Sequence, residues 1–161
     1  MDRIIKVNTD GNYVYNSGNE IIDAIINVKH IVAKEYGIVF NCKIFVPERL
    51  PVKQSDIGIV LGNAIDNAID AVKECKNSEK IIDIFIGIKK ESIVMSVKNP
   101  YEHKLIKDRS GRYLSTKDNK GQHGYGLKSI YKVAEKYGGE VVIYDYENHF
   151  TIMIFMNLPQ N

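Results

Sequence analysis

Two asparagines four positions apart, Asn63 and Asn67, are the residues whose type and spacing point most directly to chemistry. They lie in DIGIVLGNAIDNAIDAVKE, residues 56–74. In that run Ile57, Leu61, Ala64, Ile65, Ala68 and Val72 recur at about 100° per residue, which predicts one amphipathic helix. Asp56, Asn63, Asp66, Asn67 and Asp70 gather on its other side, and a single turn stacks Asn63 over Asn67. Asn costs a helix roughly 0.5 kcal/mol relative to Ala, so a merely solvated face would do better with Glu, Lys or Gln. Amide oxygens and carboxylates one turn apart suit a hard cation such as Mg²⁺, which prefers oxygen ligands and keeps some water. The plain alternative is a surface helix that happens to carry Asn.

Gly121-Gln122-His123-Gly124-Tyr125-Gly126-Leu127 is a second candidate, at the junction of a long polar stretch and a predicted helix. Glycines admit close approach of backbone amides, and a helix N-terminus adds unpaired N–H groups and a positive dipole end. Phosphate is the obvious guest, and the alternative is a turn. The run is not a P-loop, because no GxxxxGK[ST] is present, and no strand leads in as in a Rossmann turn. Lys117 and Lys120 could neutralise phosphate or simply be solvated. The third candidate is Asn99, at the end of SIVMSVKNP. An Asn before Pro can be a strand terminator, and its amide can also read a purine edge.

The elements that must position these residues follow from periodicity. Residues 1–16 show no sustained period and fit a short strand, a tail or the stump of something upstream. Ser17-Gly18-Asn19 starts a helix with Glu20 in its first turn. Ile22, Ile25, Ile26, Val32 and Ala33 form its stripe, interrupted by Lys29, and Gly37 closes it. Val39 to Val46 reads as a strand, and Pro47 and Pro51 mark the link into the Asn-bearing helix. Ile81–Ile88 and Ser92–Lys98 predict an antiparallel hairpin turning at Lys89, Lys90 and Glu91. Residues 101–124 are polar, basic, glycine-punctuated and without a period, and loops of that length are usually functional or disordered. Tyr125–Tyr137 resumes a helix that stops at Gly138-Gly139, and Val141–Tyr146 with Phe150–Met156 forms a closing hairpin. This order suits an α+β, two-layer α/β sandwich with helices on one face of a mixed sheet.

With 161 residues, 44% hydrophobic and 26% charged, the chain is sized for one globular domain with a real core. A net charge of +2 makes no case for nucleic acid or for electrostatic attachment to a membrane. Cys42 and Cys75 belong to no CxxC or Cys/His cluster, so two free thiols in a reducing compartment are expected. No apolar run approaches the roughly 20 residues of a membrane span and no signal peptide opens the chain. A soluble, cytoplasmic segment is therefore expected, one that could be cut from a membrane protein.

The combination of an Asn-bearing helix, a hairpin strand ending in Asn99, a long loop and a Gly-x-Gly helix start is far more specific than any one part. It resembles the GHKL superfamily of nucleotide-binding domains: gyrase, heat-shock chaperone, histidine kinase and mismatch-repair ATPases. Asn63-Ala64-Ile65-Asp66-Asn67-Ala68 looks like the N box and His123-Gly124-Tyr125-Gly126-Leu127 like the G2 box. Gly138-Gly139 and Leu158-Pro159 resemble the corresponding ends in histidine kinases, and the likeness covers about residues 40–159. Within the superfamily the chain is most similar to sensor histidine kinases of the accessory-gene-regulator type, the peptide quorum-sensing class. The DxGxG box is replaced by Val97-Lys98-Asn99-Pro100, the loop carries Ser115-Thr116-Lys117, and residues 17–26 resemble the helix that follows the phosphoacceptor region.

The resemblance implies a Bergerat-type ATP-binding fold over residues 37–161, preceded by a segment, 1–36, that follows a missing phosphoacceptor region. It implies ATP and Mg²⁺ as cofactors, with Asn67 and Asn63 holding the metal and Asp70, Lys117, His123, Tyr125 and Leu127 at the nucleotide. Gly124 and Gly126 would admit phosphates to backbone amides, and Asn99 would replace the adenine-reading Asp. The implied activity is transfer of the γ-phosphate to a histidine on an upstream dimerisation domain, in a homodimeric receptor that serves a response regulator. Of the four histidines, His30, His103, His123 and His149, His30 has no acidic neighbour such as the acceptor keeps, and His103 and His149 lie in a loop and a turn, so the catalytic domain is expected to stand without its acceptor and to be nearly inactive alone. Asn63 stands where gyrase-type members keep a water-activating Glu, which favours phosphotransfer over hydrolysis. The runner-up is a degenerate kinase acting as a nucleotide- or protein-binding scaffold. A serine kinase of the anti-sigma-factor type shares the fold, but Asn63 and the Ser-Thr-Lys loop argue against it.

Overall fold

The computed structural model describes residues 6–7, 13–114 and 125–160. In chain order the elements are β1 (Lys6–Val7), β2 (Tyr13–Val14), α1 (Glu20–Glu35), β3 (Val39–Phe45), α2 (Gln54–Lys73), β4 (Ile81–Lys89) and β5 (Ser92–Pro100). They continue with β6 (Ile106–Lys107), β7 (Tyr113–Leu114), α3 (Tyr125–Lys136), β8 (Glu140–Tyr146) and β9 (His149–Asn157). Five strands make one sheet in the order β3-β4-β5-β9-β8, with β3 parallel to β4 and every other pair antiparallel. The helices cover one face, so the expected α+β two-layer sandwich with a mixed, mostly antiparallel sheet is what forms.

Alternation along the central strands builds the core. Ile82, Ile84 and Ile86 of β4, Ile93, Met95 and Val97 of β5, and Ile152, Ile154 and Met156 of β9 all point under the helices. Against them α2 lays its whole predicted stripe, Ile57, Leu61, Ala64, Ile65, Ala68 and Val72, together with Val60 and Ile69. The helix begins two residues before Asp56, at Gln54. Flanking it, α1 buries Ile22, Ile26 and Ala33, and α3 buries Leu127, Ile130, Val133 and Ala134. Val32, expected on the inward stripe of α1, is instead exposed.

The predicted helix boundaries have local causes. Asn19 caps α1 by accepting from the Ile22 N–H at 3.2 Å, and its amide donates to the carbonyls of Pro47 and Glu48. The Asp23 carboxylate accepts from the N–H and hydroxyl of Ser17 and from the Gly18 N–H. At the end of α3, Gly138 turns at φ 60°, and a Cβ on Gly139 would lie 1.8 Å from the Phe155 carbonyl oxygen. That contact, rather than flexibility, demands the second glycine. Glu147 and Asn148, both at positive φ, make a two-residue turn between β8 and β9 that matches the sheet twist.

The two segments without a period carry short elements. The N-terminal segment contributes a two-residue pair, β1 with β2, and residues 101–114 contain a small hairpin, β6 with β7. Its turn is held by Asp108, which accepts from the N–H and hydroxyl of Ser110 and from the Arg112 N–H. Two-residue strands are too short to show a period of two. Cys42 and Cys75 are free thiols, and burial pushes the Cys42 thiol up to about 12. None of the helices described is long and apolar enough to cross a membrane.

Candidate functional site

Because α2 presses one face on the sheet, the opposite side of its middle turns is left between α1 and α3. There Asn63 donates its amide nitrogen to the Ile59 carbonyl at 2.8 Å. A carbonyl can only accept, so this bond fixes the orientation of the amide and sends its oxygen the other way. That oxygen faces Gly126 in the first turn of α3. A Cβ on Gly126 would lie 3.4 Å from Asn63 Oδ1 and 3.6 Å from Asn67 Oδ1. Two amide oxygens one turn apart therefore converge on the start of the helix whose N-terminus was singled out as an anion site. The pair fits a hard cation that takes oxygen ligands and retains water.

Alongside this point runs a cleft of about 800 Å³, open mouth included. One wall is the α2 ridge of Ala64, Asn67, Ala68, Asp70 and Ala71, with Glu74 just past its end. The facing wall comes from β5 and the segment after it (Asn99, Tyr101, His103, Leu105), from Tyr113 of β7, Leu127 of α3, and Phe150 and Ile152 of β9. Tyr113 meets Phe150 edge-to-face at 5.9 Å. The alanines leave room opposite flat rings, so the cleft has apolar walls with a few polar groups along one ridge, the usual make-up of a small-molecule site.

Asn99 sits inside this cleft, only 3% exposed, on the strand that pairs it with Phe150. Its amide nitrogen donates one N–H to the Pro100 carbonyl at 2.9 Å, which orients the amide and leaves the oxygen and the second N–H for a ligand. The segment following β5 is pinned at its root. The Glu102 carboxylate accepts from the N–H groups of Lys76, Asn77 and Ser78 and from the Ser78 hydroxyl, all at 2.8 Å, and these bonds pull it down to about 2. Tyr101 donates its hydroxyl to Asp145, which raises the phenol to about 12. His103 follows, with Nδ1 3.8 Å from the Glu74 carboxylate.

The structure thus brings Asn63, Asn67, Asp70, Asn99, Gly126 and Leu127 to one region. Tyr125 opens α3 with its side chain 76% exposed. Lys117, His123 and Gly124 lie outside the described residues. Two carboxylates leave the polar face as the sequence grouped it. Asp66 pairs with Lys29 of α1 at 2.7 Å. Asp56 is buried, accepting from Lys136 Nζ and the Tyr137 hydroxyl at 2.6 Å each, bonds that hold its carboxyl below the usual range. It ties the start of α2 to the end of α3 and belongs to no site. Sequence reasoning missed the cleft's aromatic wall and Glu102. Only the spacing Ala64, Ala68, Ala71, a small-residue border beside the Asn face, could have signalled the cleft. His30, without an acidic neighbour, packs between the rings of Tyr15 and Phe40, and burial lowers its pKa.

Comparisons with known proteins agree with this geometry. Residues 52–157 match the family described as the GHKL domain. Over 102 residues the chain is 26% identical to a probable C4-dicarboxylate sensor kinase of Halalkalibacterium halodurans, covering 62% of this chain and 19% of that protein. The chain thus spans about a fifth of the length of this curated relative. Among solved structures it superposes on the catalytic domain of the histidine kinase ThkA with a TM-score of 0.66 at 22% identity, covering 86% of this chain and 91% of that one. It superposes on the histidine kinase AdeS of Acinetobacter baumannii with a TM-score of 0.63 at 12% identity, covering 88% and 64%. These likenesses establish the fold, and the family match over most of its length places this chain in the GHKL family.

Proposed function

We propose that this chain is the ATP-binding catalytic domain of a sensor histidine kinase, handing the γ-phosphate of ATP to a histidine on a dimerisation domain outside the chain. The observation that carries the reading is the convergence of Asn63 Oδ1 and Asn67 Oδ1 on Gly126, beside the cleft that Asn67 and Leu127 line. Asn63 and Asn67 would hold Mg²⁺, whose charge offsets that of the phosphates when bound. The start of α3, with Gly124 and Gly126, would offer backbone N–H groups to phosphate oxygens. Asn99, its amide nitrogen engaged by Pro100, presents an acceptor to an amino group such as adenine carries, and Tyr113 and Phe150 flank the base. Asp70 and Leu127 line the cleft, and Lys117, His123 and Tyr125 would complete the nucleotide site.

Asn63 provides no base to activate water, whereas a neutral imidazole is already a nucleophile. Transfer is then mostly positioning and charge neutralisation. The acceptor nitrogen bonds to the γ-phosphorus as its bond to the β-bridging oxygen breaks, and ADP leaves. The full protein is read as a homodimer serving a response regulator, with this segment on the cytoplasmic side. Val97-Lys98-Asn99-Pro100 and Ser115-Thr116-Lys117 support membership of the accessory-gene-regulator, peptide quorum-sensing class. Labelled ATP decides the activity. The chain alone should hydrolyse ATP slowly and not label itself, and a supplied acceptor-bearing helical domain should gain an acid-labile label. Rapid phosphate release without an acceptor would move the chain to the ATPase branch, and no nucleotide binding at all would leave a scaffold.

A further inference from the structure

The residues that follow β5 alternate. Tyr101, His103 and Leu105 line the cleft, while Glu102 and Lys104 between them are exposed and do not. Tyr101 has anchors of its own: its N–H donates to the Asn148 carbonyl at 3.0 Å and its hydroxyl to Asp145. Beyond it, among the described residues, no backbone hydrogen bond holds residues 102–105. The polar attachments of that strip are the Glu102 carboxylate and the looser approach of His103 Nδ1 to Glu74 at 3.8 Å. Glu102 reaches sideways to the turn between α2 and β4, where three consecutive backbone N–H groups close on it. Oε1 accepts from the N–H groups of Asn77 and Ser78 and from the Ser78 hydroxyl, and Oε2 accepts from the Lys76 N–H. The strip is therefore tied to the β8–β9 end of the sheet by Tyr101 and to the α2–β4 turn by Glu102.

We propose that Glu102 is a positioning residue for the nucleotide: from outside the cleft it holds His103 and Leu105 in the wall that faces α2. The proposal rests on the nucleotide reading of the cleft and adds to it a residue that touches no ligand. The chain itself transmits the effect. In an extended strip, fixing one side chain fixes the backbone on which its neighbours stand, and His103 follows Glu102 directly. Nothing else among the described residues does this for His103 and Leu105 with comparable bonds, since Tyr101 is held from the other end. The rings of Tyr101 and His103 meet edge-to-face at 6.0 Å across Glu102, so the carboxylate also keeps these two parts of the wall in register. His103 Nδ1 is buried without a hydrogen-bond partner among the described residues, so its placement matters to whatever fills the cleft. A site whose supporting bonds let a wall drift by about 1 Å loses the contacts that make it bind.

The test is a double-variant cycle on the full chain, read as the affinity for Mg²⁺·ATP well below the unfolding midpoint of every variant. Glu102→Ala should weaken binding about tenfold, and Ser78→Ala, which removes one of the four bonds, should stay within about twofold. Glu102→Gln keeps an oxygen for the three bonds of Oε1 and loses the bond from Lys76, so its affinity should fall between the two. It carries the test should the Ala variant fail to fold. The cycle pairs Glu102→Ala with His103→Ala/Leu105→Ala. If Glu102 acts through those side chains, its removal should cost less than about threefold once they are gone. A role in stability alone would lower the unfolding midpoint and leave the affinity of the folded protein unchanged. Wild-type affinity in a folded Glu102→Ala, or in Glu102→Gln if only that variant folds, would overturn the proposal and leave the nucleotide reading standing. So would a full tenfold loss in the His103→Ala/Leu105→Ala background. A wild-type chain that binds no ATP would sink the nucleotide reading, and this proposal with it.

Discussion

Replacing Gly126 with Ala separates a binding role from a folding role by the sign of its two effects. The added methyl would lie 3.4 Å from Asn63 Oδ1, 3.6 Å from Asn67 Oδ1 and 3.7 Å from Asn63 Cγ. Those distances need a shift of at most a few tenths of an ångström, so the fold accommodates the change. Position 126 is in the first turn of α3, where Ala is worth up to about 1 kcal/mol over Gly in helix propensity. Stability should hold or rise. Binding should fall, because the methyl occupies the point where the two amide oxygens meet and caps the helix start against an anion. Losing one hydrogen bond to a charged group costs about 1.5–3 kcal/mol, and each 1.4 kcal/mol is about tenfold in affinity, so ATP binding should weaken by about 10- to 150-fold. Urea unfolding and titration with a fluorescent ATP analogue read the two quantities on the same preparation. Affinity within threefold of wild type in a fully folded variant would refute the reasoning.

Three further substitutions follow. Asn99→Asp should weaken nucleotide binding although a carboxylate still offers an acceptor, because one of its oxygens would replace the nitrogen that now donates to the Pro100 carbonyl at 2.9 Å; binding at the wild-type level would show that this bond does not orient residue 99. Glu102→Gln should lower the unfolding midpoint at neutral pH. The Glu102 carboxyl is depressed from 4.5 to about 2 in the folded chain, so its contribution is fully present above 4.5 and is lost as pH falls toward 2. The difference between wild type and variant should therefore shrink over that window, and a gap that widens on acidification would contradict the assignment. Gly139→Ala should destabilise by about 3 kcal/mol, since its Cβ would sit 1.8 Å from a backbone oxygen that cannot swing away; chemical denaturation checks this, and a loss below about 1 kcal/mol would mean β9 yields easily.

Much of the fold could be read from the chain because it is written in periods. The stripe of α2, the antiparallel pair β4–β5 and the Gly138-Gly139 stop all come out as expected, since each reflects burial on one face of a regular element. What resisted reading was decided by partners distant in sequence. Asp56 shares the helical phase of the polar face, yet Lys136 and Tyr137, 80 and 81 residues away, draw it into the interior. Val32 is expected in the α1 stripe, but it lies one residue, about 100° of rotation, from the buried Ala33 and so faces solvent. The β6–β7 hairpin is held by the Asp108 side chain rather than by alternation. For the candidate site, Asn63 and Asn67 stood out because Asn is a costly choice inside a helix, and Asn99 because it ends a strand on a polar amide. Phe150 did not, because an aromatic residue in a predicted strand reads as core until the facing alanines are seen, and Tyr113 lay in the stretch without a period.

The central claim is that Asn63 and Asn67 make this cleft a metal-dependent nucleotide site. The most direct measurement is calorimetric titration of ATP into the chain with and without Mg²⁺, for wild type and for Asn67→Ala. Wild type should bind one ATP saturably and at least tenfold more tightly with Mg²⁺, and Asn67→Ala should lose that Mg²⁺ dependence while unfolding at the same midpoint, because Asn67 faces the cleft and not the core. Equal ATP affinity in both proteins in the presence of Mg²⁺ would contradict the account.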